Sequence, residues 1–306
     1  MCPLSRSSTT NRRLGRPPGG FSLLELLVAT AVFVGLALIL VSIAASLSSF
    51  WQMGIAHNER RSSALSAFSR MARDLRFATL PPDPSATNFQ FVINPASVGT
   101  NYSLPQSVFW QAPVASDRSN GNMALVGYFV QWVSETNSRP APKLCRLVVD
   151  SNYSMQKPSD FVSDKLIASS APATKDSGYA GQLAENVLGL WLQPLDQRKN
   201  PILTNAKAQA FPNGQFDSTK GYTVTLTNAP GTLVFPSALP ASLEVALVAV
   251  DARTAKRLLG RPAEKPGAAT SDMWNDVNTF YSNLPQEIKQ GARIYSTVID
   301  LQSAPR

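Results

Sequence analysis

At 306 residues the chain has room for about two domains. Its 44% apolar content excludes wholesale disorder, while 16% charged residues and 23 prolines suit a loop-rich extracytoplasmic β domain better than a helical cytosolic enzyme. Two cysteines and one histidine exclude a disulfide scaffold, a zinc finger and a histidine-rich metal site. Half of the net charge of +8 belongs to the first twenty residues, which hold Arg6, Arg12, Arg13 and Arg16 and no acid. Without them 24 basic residues face 20 acidic ones and the excess falls to +4, so a nucleic-acid partner is not expected.

Chemistry-bearing residues concentrate near the N-terminus. Phe21–Leu47 is almost wholly apolar, and no Asp, Glu, Lys or Arg occurs from Leu26 to Ala56. About 20 such residues in a helix cross a ~30 Å hydrocarbon core. The run is too long, and too apolar all round, for the core helix of a soluble domain. Three membrane readings remain. A secretory signal peptide would use Ile43-Ala44-Ala45 as its exit, yet its apolar region is ordinarily shorter. A plain signal anchor is the second reading. Neither accounts for Glu25, a carboxylate placed where an ionised group is costly and implies a functional partner.

The third reading accounts for it. Gly20-Phe21-Ser22-Leu23-Leu24-Glu25, behind a basic leader and at the head of a long uncharged run, resembles the class III signal of type IV pilins and type II secretion pseudopilins. The resemblance implies cleavage by a prepilin peptidase between Gly20 and Phe21, N-methylation of Phe21, and pairing of Glu25 with the Phe amine of a neighbouring subunit. In a low-dielectric setting such pairing offsets much of the cost of both charges. It further implies an inner-membrane precursor with a cytoplasmic N-terminus, held there by the arginines of the leader. Implied partners are prepilin peptidase, other pilin or pseudopilin subunits, inner-membrane lipid and secreted cargo.

Residues 48–80 continue the helix as a stem. Leu65, Phe68, Met71/Ala72 and Leu75 recur at helical spacing, with Arg61, Arg70, Arg73, Asp74 and Arg76 mainly off that stripe, until Pro81-Pro82 stops the helix. The arginines read as a solvated face, and His57 as an ordinary surface residue. From about residue 88 the pattern is β. Strands are expected at Ser107–Gln111, Ala124–Val133, Lys143–Val149, Val187–Gln193, Tyr222–Thr227, Leu243–Asp251 and Ile294–Leu301, separated by polar, proline-bearing links. Tyr222, Val224 and Leu226 alternate with threonines, which predicts one wet face.

Met273–Leu284 reads as a short amphipathic helix, capped by Ser271 or Asp272 and ended by Pro285. Asp272, Asn275, Asp276 and Asn278 lack the spacing of an EF-hand loop, so capping explains them better than calcium. Leu239-Pro240-Ala241-Ser242-Leu243-Glu244-Val245 resembles the J-type minor pseudopilins of type II secretion. The run to Arg253 is also similar to the prepilin-like C protein of the Verru_Chthon cassette. Cys145, in the apolar strand KLCRLVV, reads as a small buried hydrophobe with no disulfide partner. Cys2 falls in the leader.

Nothing points to catalysis, a metal or a cofactor. The lone histidine sits beside the membrane segment, and no G-x-S-x-G, H-E-x-x-H or phosphate-binding glycine motif occurs. Ser154-Met155-Gln156-Lys157 matches S-x-x-K without its companion K-T-G.

The expected class is α+β: a long N-terminal helix, half transmembrane and half amphipathic stem, packed on a mainly antiparallel β domain. The expected division is a leader over 1–20, a membrane or filament-core helix over 21–47, a stem over 48–80 and a periplasmic globular domain over 81–306. The expected role is a non-enzymatic minor pilin or pseudopilin, a tip subunit of a type II secretion pseudopilus or type IV pilus-like fibre in protein secretion, with a DNA-binding competence-type pilin or an anchored extracytoplasmic enzyme as alternatives.

Overall fold

A computed structural model describes residues 22–80, 91–95, 98, 105–114, 123–133, 141–150, 180–225, 231–258 and 265–301. The chain divides into two units, Met1–Gly54 and Ile55–Arg306. The described part of the first unit is helical, and its apolar side chains are open, from Leu23 at 84% exposed to Phe33 at 71% and Leu47 at 55%.

Helix α1 runs Leu23–Arg76. In the second unit its buried positions are Arg60, Ala64, Ala67, Phe68, Met71, Asp74 and Leu75, a stripe of three- and four-residue steps. Full burial of Met71 and Leu75 contributes about 2 kcal/mol each. Leu65, expected in the stripe, is 53% exposed; Ala64 and Phe68 occupy the packed face on either side of it. The helix closes at Arg76, before Pro81-Pro82. Phe77 and Ala78 donate back to the carbonyls of Asp74 and Leu75, tightening the last turn. Thr79 then bridges to Gln111, so the chain leaves the helix directly onto a sheet.

The strands are β1 (Val92–Ile93), β2 (Ser107–Ala112), β3 (Ala124–Val133), β4 (Ala141–Asp150), β5 (Ala180–Glu185) and β6 (Val187–Leu195). They continue with β7 (Phe216–Asp217), β8 (Tyr222–Thr225), β9 (Thr232–Phe235), β10 (Ser242–Val250) and β11 (Ala292–Asp300). Between β10 and β11 lie α2 (Ala252–Leu258), α3 (Met273–Asn283) and α4 (Gln286–Lys289). A six-stranded sheet has the order β5-β4-β3-β2-β1-β7, a three-stranded sheet the order β11-β10-β6, and β8 pairs with β9. Every pairing among the described residues is antiparallel. The fold is therefore α+β, as the strand pattern and the single long helix predict.

Asn186 joins the two larger sheets. It separates β5, in the first, from β6, in the second, with φ at 61°, a left-handed conformation that Asn tolerates well. Its N–H donates to Pro142 O at 3.0 Å and its carbonyl accepts from Val250 N at 2.9 Å, which pins the corner to both sheets. Strand β6 is buried along its whole length, and Trp191 packs on Phe280 of α3 with ring centroids 5.3 Å apart.

The main core joins the α1 stripe, one face of the large sheet and the second sheet. A smaller cluster holds the other face of the large sheet: Phe109, Leu125, Phe129, Cys145, Leu147 and Val149 with Val92 and Val98. In that cluster the Phe109 ring lies directly over Gly127, where any β-carbon would collide with it. Tyr222 is fully buried while Thr223 and Val224 are half-buried and Thr225 exposed, so burial declines along β8 instead of alternating, and Leu226 and Thr227 lie outside the described residues.

Candidate functional site

The N-terminal site begins with Ser22. Its Oγ accepts from the Glu25 N–H at 3.2 Å and its carbonyl accepts from Leu26 N at 3.1 Å, so Ser22 caps α1. Glu25 is the acid of the first turn, where the helix dipole favours a negative charge. Ser22-Leu23-Leu24-Glu25 thus has the S-x-x-E spacing of a capping box, a local signal the sequence reading passed over in favour of assembly. Gly20 and Phe21 lie outside the described residues, as do Cys2 and Ser154–Lys157. Beyond Glu25 the helix carries a stretch of mean hydropathy 2.8, long and apolar enough to cross a membrane.

The stem arginines divide by environment. Arg61, Arg73 and Arg76 are exposed. Arg60 is only 8% exposed: its Nη1 donates to Asp251 Oδ2 at 3.2 Å and to the Gly291 carbonyl. Asp251 in turn accepts from Thr254 N at 2.6 Å through Oδ1. The guanidinium therefore ties the stem to the end of β10 and the start of β11.

Asp74 is the centre of a second network, and its burial corrects the reading that placed it off the packed face. It is 3% exposed. Its Oδ2 accepts from Tyr128 Oη at 2.7 Å and from Arg146 Nε at 2.5 Å, and Arg70 Nε stands 3.7 Å from Oδ1. Trp110, stacked on Tyr128 with centroids 5.6 Å apart, donates to the Asp74 carbonyl at 3.3 Å. Burial, reinforced by the Asp74 charge, pushes the Tyr128 phenol far above its ordinary range. Burial works to lower the Arg146 pKa, but the hydrogen bond and charge of Asp74 outweigh it and hold the guanidinium above its ordinary value. Above this network an open cleft of about 520 Å³ lies between the stem and the β4–β5 side of the large sheet, with Arg70, Arg73 and Arg146 in its lining.

Of the acids near α3, Asp272 caps the helix and Asp276 holds the loop before it. Asp272 accepts from Asn275 N at 3.0 Å, and Asp276 accepts from the Thr270 N–H and hydroxyl at 2.6 and 2.8 Å. Cys145 is a buried free thiol beside Gln131, its pKa pushed up to about 12 by burial. His57 is exposed. Among the described residues no three His, Cys, Asp or Glu side chains converge as metal ligands. No model of a known protein family matches the chain, and no curated protein matches it.

Proposed function

We propose that the chain is a prepilin-type subunit, a minor pilin or pseudopilin that works by assembly. A prepilin peptidase cleaves between Gly20 and Phe21, and Phe21 is then N-methylated. The helix capped by Ser22 anchors the precursor in the bacterial inner membrane, N-terminus cytoplasmic and β-rich domain periplasmic, then enters the core of a type II secretion pseudopilus or pilus-like fibre. Glu25 seats against the N-terminal amine of a neighbouring subunit.

The observation that carries this reading is the position of Glu25. It is the one acid of an otherwise uncharged, fully open apolar helix segment, and it stands in the first turn after the Gly20-Phe21 step. An exposed apolar surface of that extent needs lipid or other helices to cover it. A lone carboxylate at its edge needs a cation.

The test is the mature N-terminus. The full chain, expressed with and without a prepilin peptidase, is read by mass spectrometry. N-methyl-Phe21 only with the peptidase supports the reading; an intact Met1 or a new end near Ser46 overturns it. Glu25→Gln keeps the capping geometry and removes the charge. It should leave cleavage intact and abolish crosslinking into filaments.

A further inference from the structure

The cleft between stem and sheet edge combines two properties that nothing in the assembly reading uses. The first is charge. Arg70 and Arg73 come from α1 and Arg146 from β4, and the one carboxylate beneath them, Asp74, is 3% exposed. Asp74 is engaged with Tyr128, Arg146 and, at 3.7 Å, Arg70, and among the described residues Arg73 meets no carboxylate, so three guanidinium groups face one carboxylate. The cleft therefore presents a net positive lining to solvent. The second is backbone. Strand β5 terminates the six-stranded sheet and, among the described residues, pairs only with β4. Its residues Gly181, Gln182 and Leu183 line the same cleft, and a β-carbon added at Gly181 would meet nothing within 4 Å. A terminal strand leaves one row of N–H and C=O groups turned outward, ready to pair with another strand.

We propose that this cleft is a docking site for an extended, acidic segment of a partner protein, which adds a strand to β5 and places its carboxylates against Arg70, Arg73 and Arg146. The main-chain ladder supplies affinity and the arginines supply selectivity for acid. A volume of about 520 Å³ accommodates several side chains, far more than one small anion. Glu185, at the far end of β5, is held by the Gln182 amide at 2.8 Å and is not part of the cleft lining.

The test uses the full chain in nonionic detergent micelles and a short fluorescent peptide of alternating Glu and Val, read by anisotropy. Three comparison probes accompany it: a Lys-Val twin, a Glu-Pro peptide of equal charge that cannot form a ladder, and a DNA oligonucleotide of equal charge. The Glu-Val peptide should bind about tenfold or more tightly than the Lys-Val and Glu-Pro peptides. Arg73→Glu, at an exposed position that meets no carboxylate among the described residues, should weaken binding about tenfold, while the reversed charge in the last turn of α1 lowers the unfolding temperature by no more than a few degrees. Arg61→Glu, outside the cleft lining, should leave binding unchanged. Hydrogen exchange should slow at 180–185 in the complex. Equal binding of the Glu-Pro peptide overturns strand addition. Indifference to Arg73→Glu overturns the location, and tighter binding of the oligonucleotide overturns the acidic-peptide assignment.

Discussion

Replacing Asp74 by asparagine isolates the charge at the centre of the stem–sheet contact. The shape is kept, and two hydrogen bonds converge on Oδ2, from Tyr128 at 2.7 Å and Arg146 at 2.5 Å. Bonds to a charged acceptor contribute about 1.5–3 kcal/mol and neutral ones about 0.5–1.5, so the lost charge costs roughly 2 kcal/mol across the pair. Arg146, at 18% exposure, is also left without its counter-ion. The total is about 3 kcal/mol, the lower end of what breaking a buried pair costs. With a urea slope of roughly 3 kcal/mol per M, the unfolding midpoint should fall by about 1 M. Tryptophan emission is a fitting readout, because Trp110 donates to the Asp74 carbonyl and stacks on Tyr128. The double variant with Arg146→Met removes both charges and should recover a large part of the loss, a coupling of ~2 kcal/mol. A midpoint change under ~0.2 M, or additive losses in the double variant, would refute the reasoning.

Two further effects follow from buried polar groups. Arg60→Ala strips the partner from Asp251, which is 12% exposed, and should cost about 3 kcal/mol. For a unit of this size that lowers the unfolding temperature by about 6–12 °C in calorimetry, and a change within ~2 °C would show the tie to be dispensable. The pH dependence of stability should be alkaline. Cys145 is raised from 9.0 to about 12 and Tyr128 is raised far above 10.0, so each stays protonated in the fold while the unfolded chain ionises. Their contribution is complete below pH 9 and lost above it, at up to ~1.4 kcal/mol per pH unit for each group. Urea midpoints measured between pH 8 and 11 should decline from about pH 9, and in Cys145→Ala only from about pH 10, where the buried Tyr128 and Tyr222, the latter pushed up to about 12 by burial, remain. A midpoint flat to pH 11 would contradict the burial of both groups.

How far the fold was legible depended on side-chain type. Strand β3 was readable to the residue, Ala124–Val133, because Leu125, Val126, Tyr128, Phe129, Val130 and Trp132 supply β-formers to both faces. Strand β5, AGQLAE, has no β-branched or aromatic residue and carries no strand signal of its own; its strand state comes from pairing with β4. The two-residue β1 and β7 are set by their neighbours and leave no local pattern. Helix α3 was legible from Asp272 and its amphipathic spacing, and Asp272 indeed caps it. In the stem, charge misled. Asp74 and Arg60 fall on the same three- and four-residue steps as Ala64, Met71 and Leu75, and that periodicity was the available signal. Their partners, Arg146, Tyr128, Asp251 and Gly291, are 54 to 231 positions away, a separation no local pattern encodes.

The bond from Arg60 to the Gly291 carbonyl spans 231 positions, and this fixes an order of events for a chain made from its N-terminus. The guanidinium emerges early and waits through nearly all of synthesis for its acceptor. The strands β2, β3 and β4 form a run of neighbours in sequence and can pair as they appear, whereas β6 and β10 find a complete sheet only when β11 arrives. A chain interrupted before residue 291 therefore holds a cation against an apolar surface with half of its acceptors missing. Such a fragment should keep its stem loose and open to proteolysis, which makes the end of β10 and the start of β11 the last clamp closed on the stem.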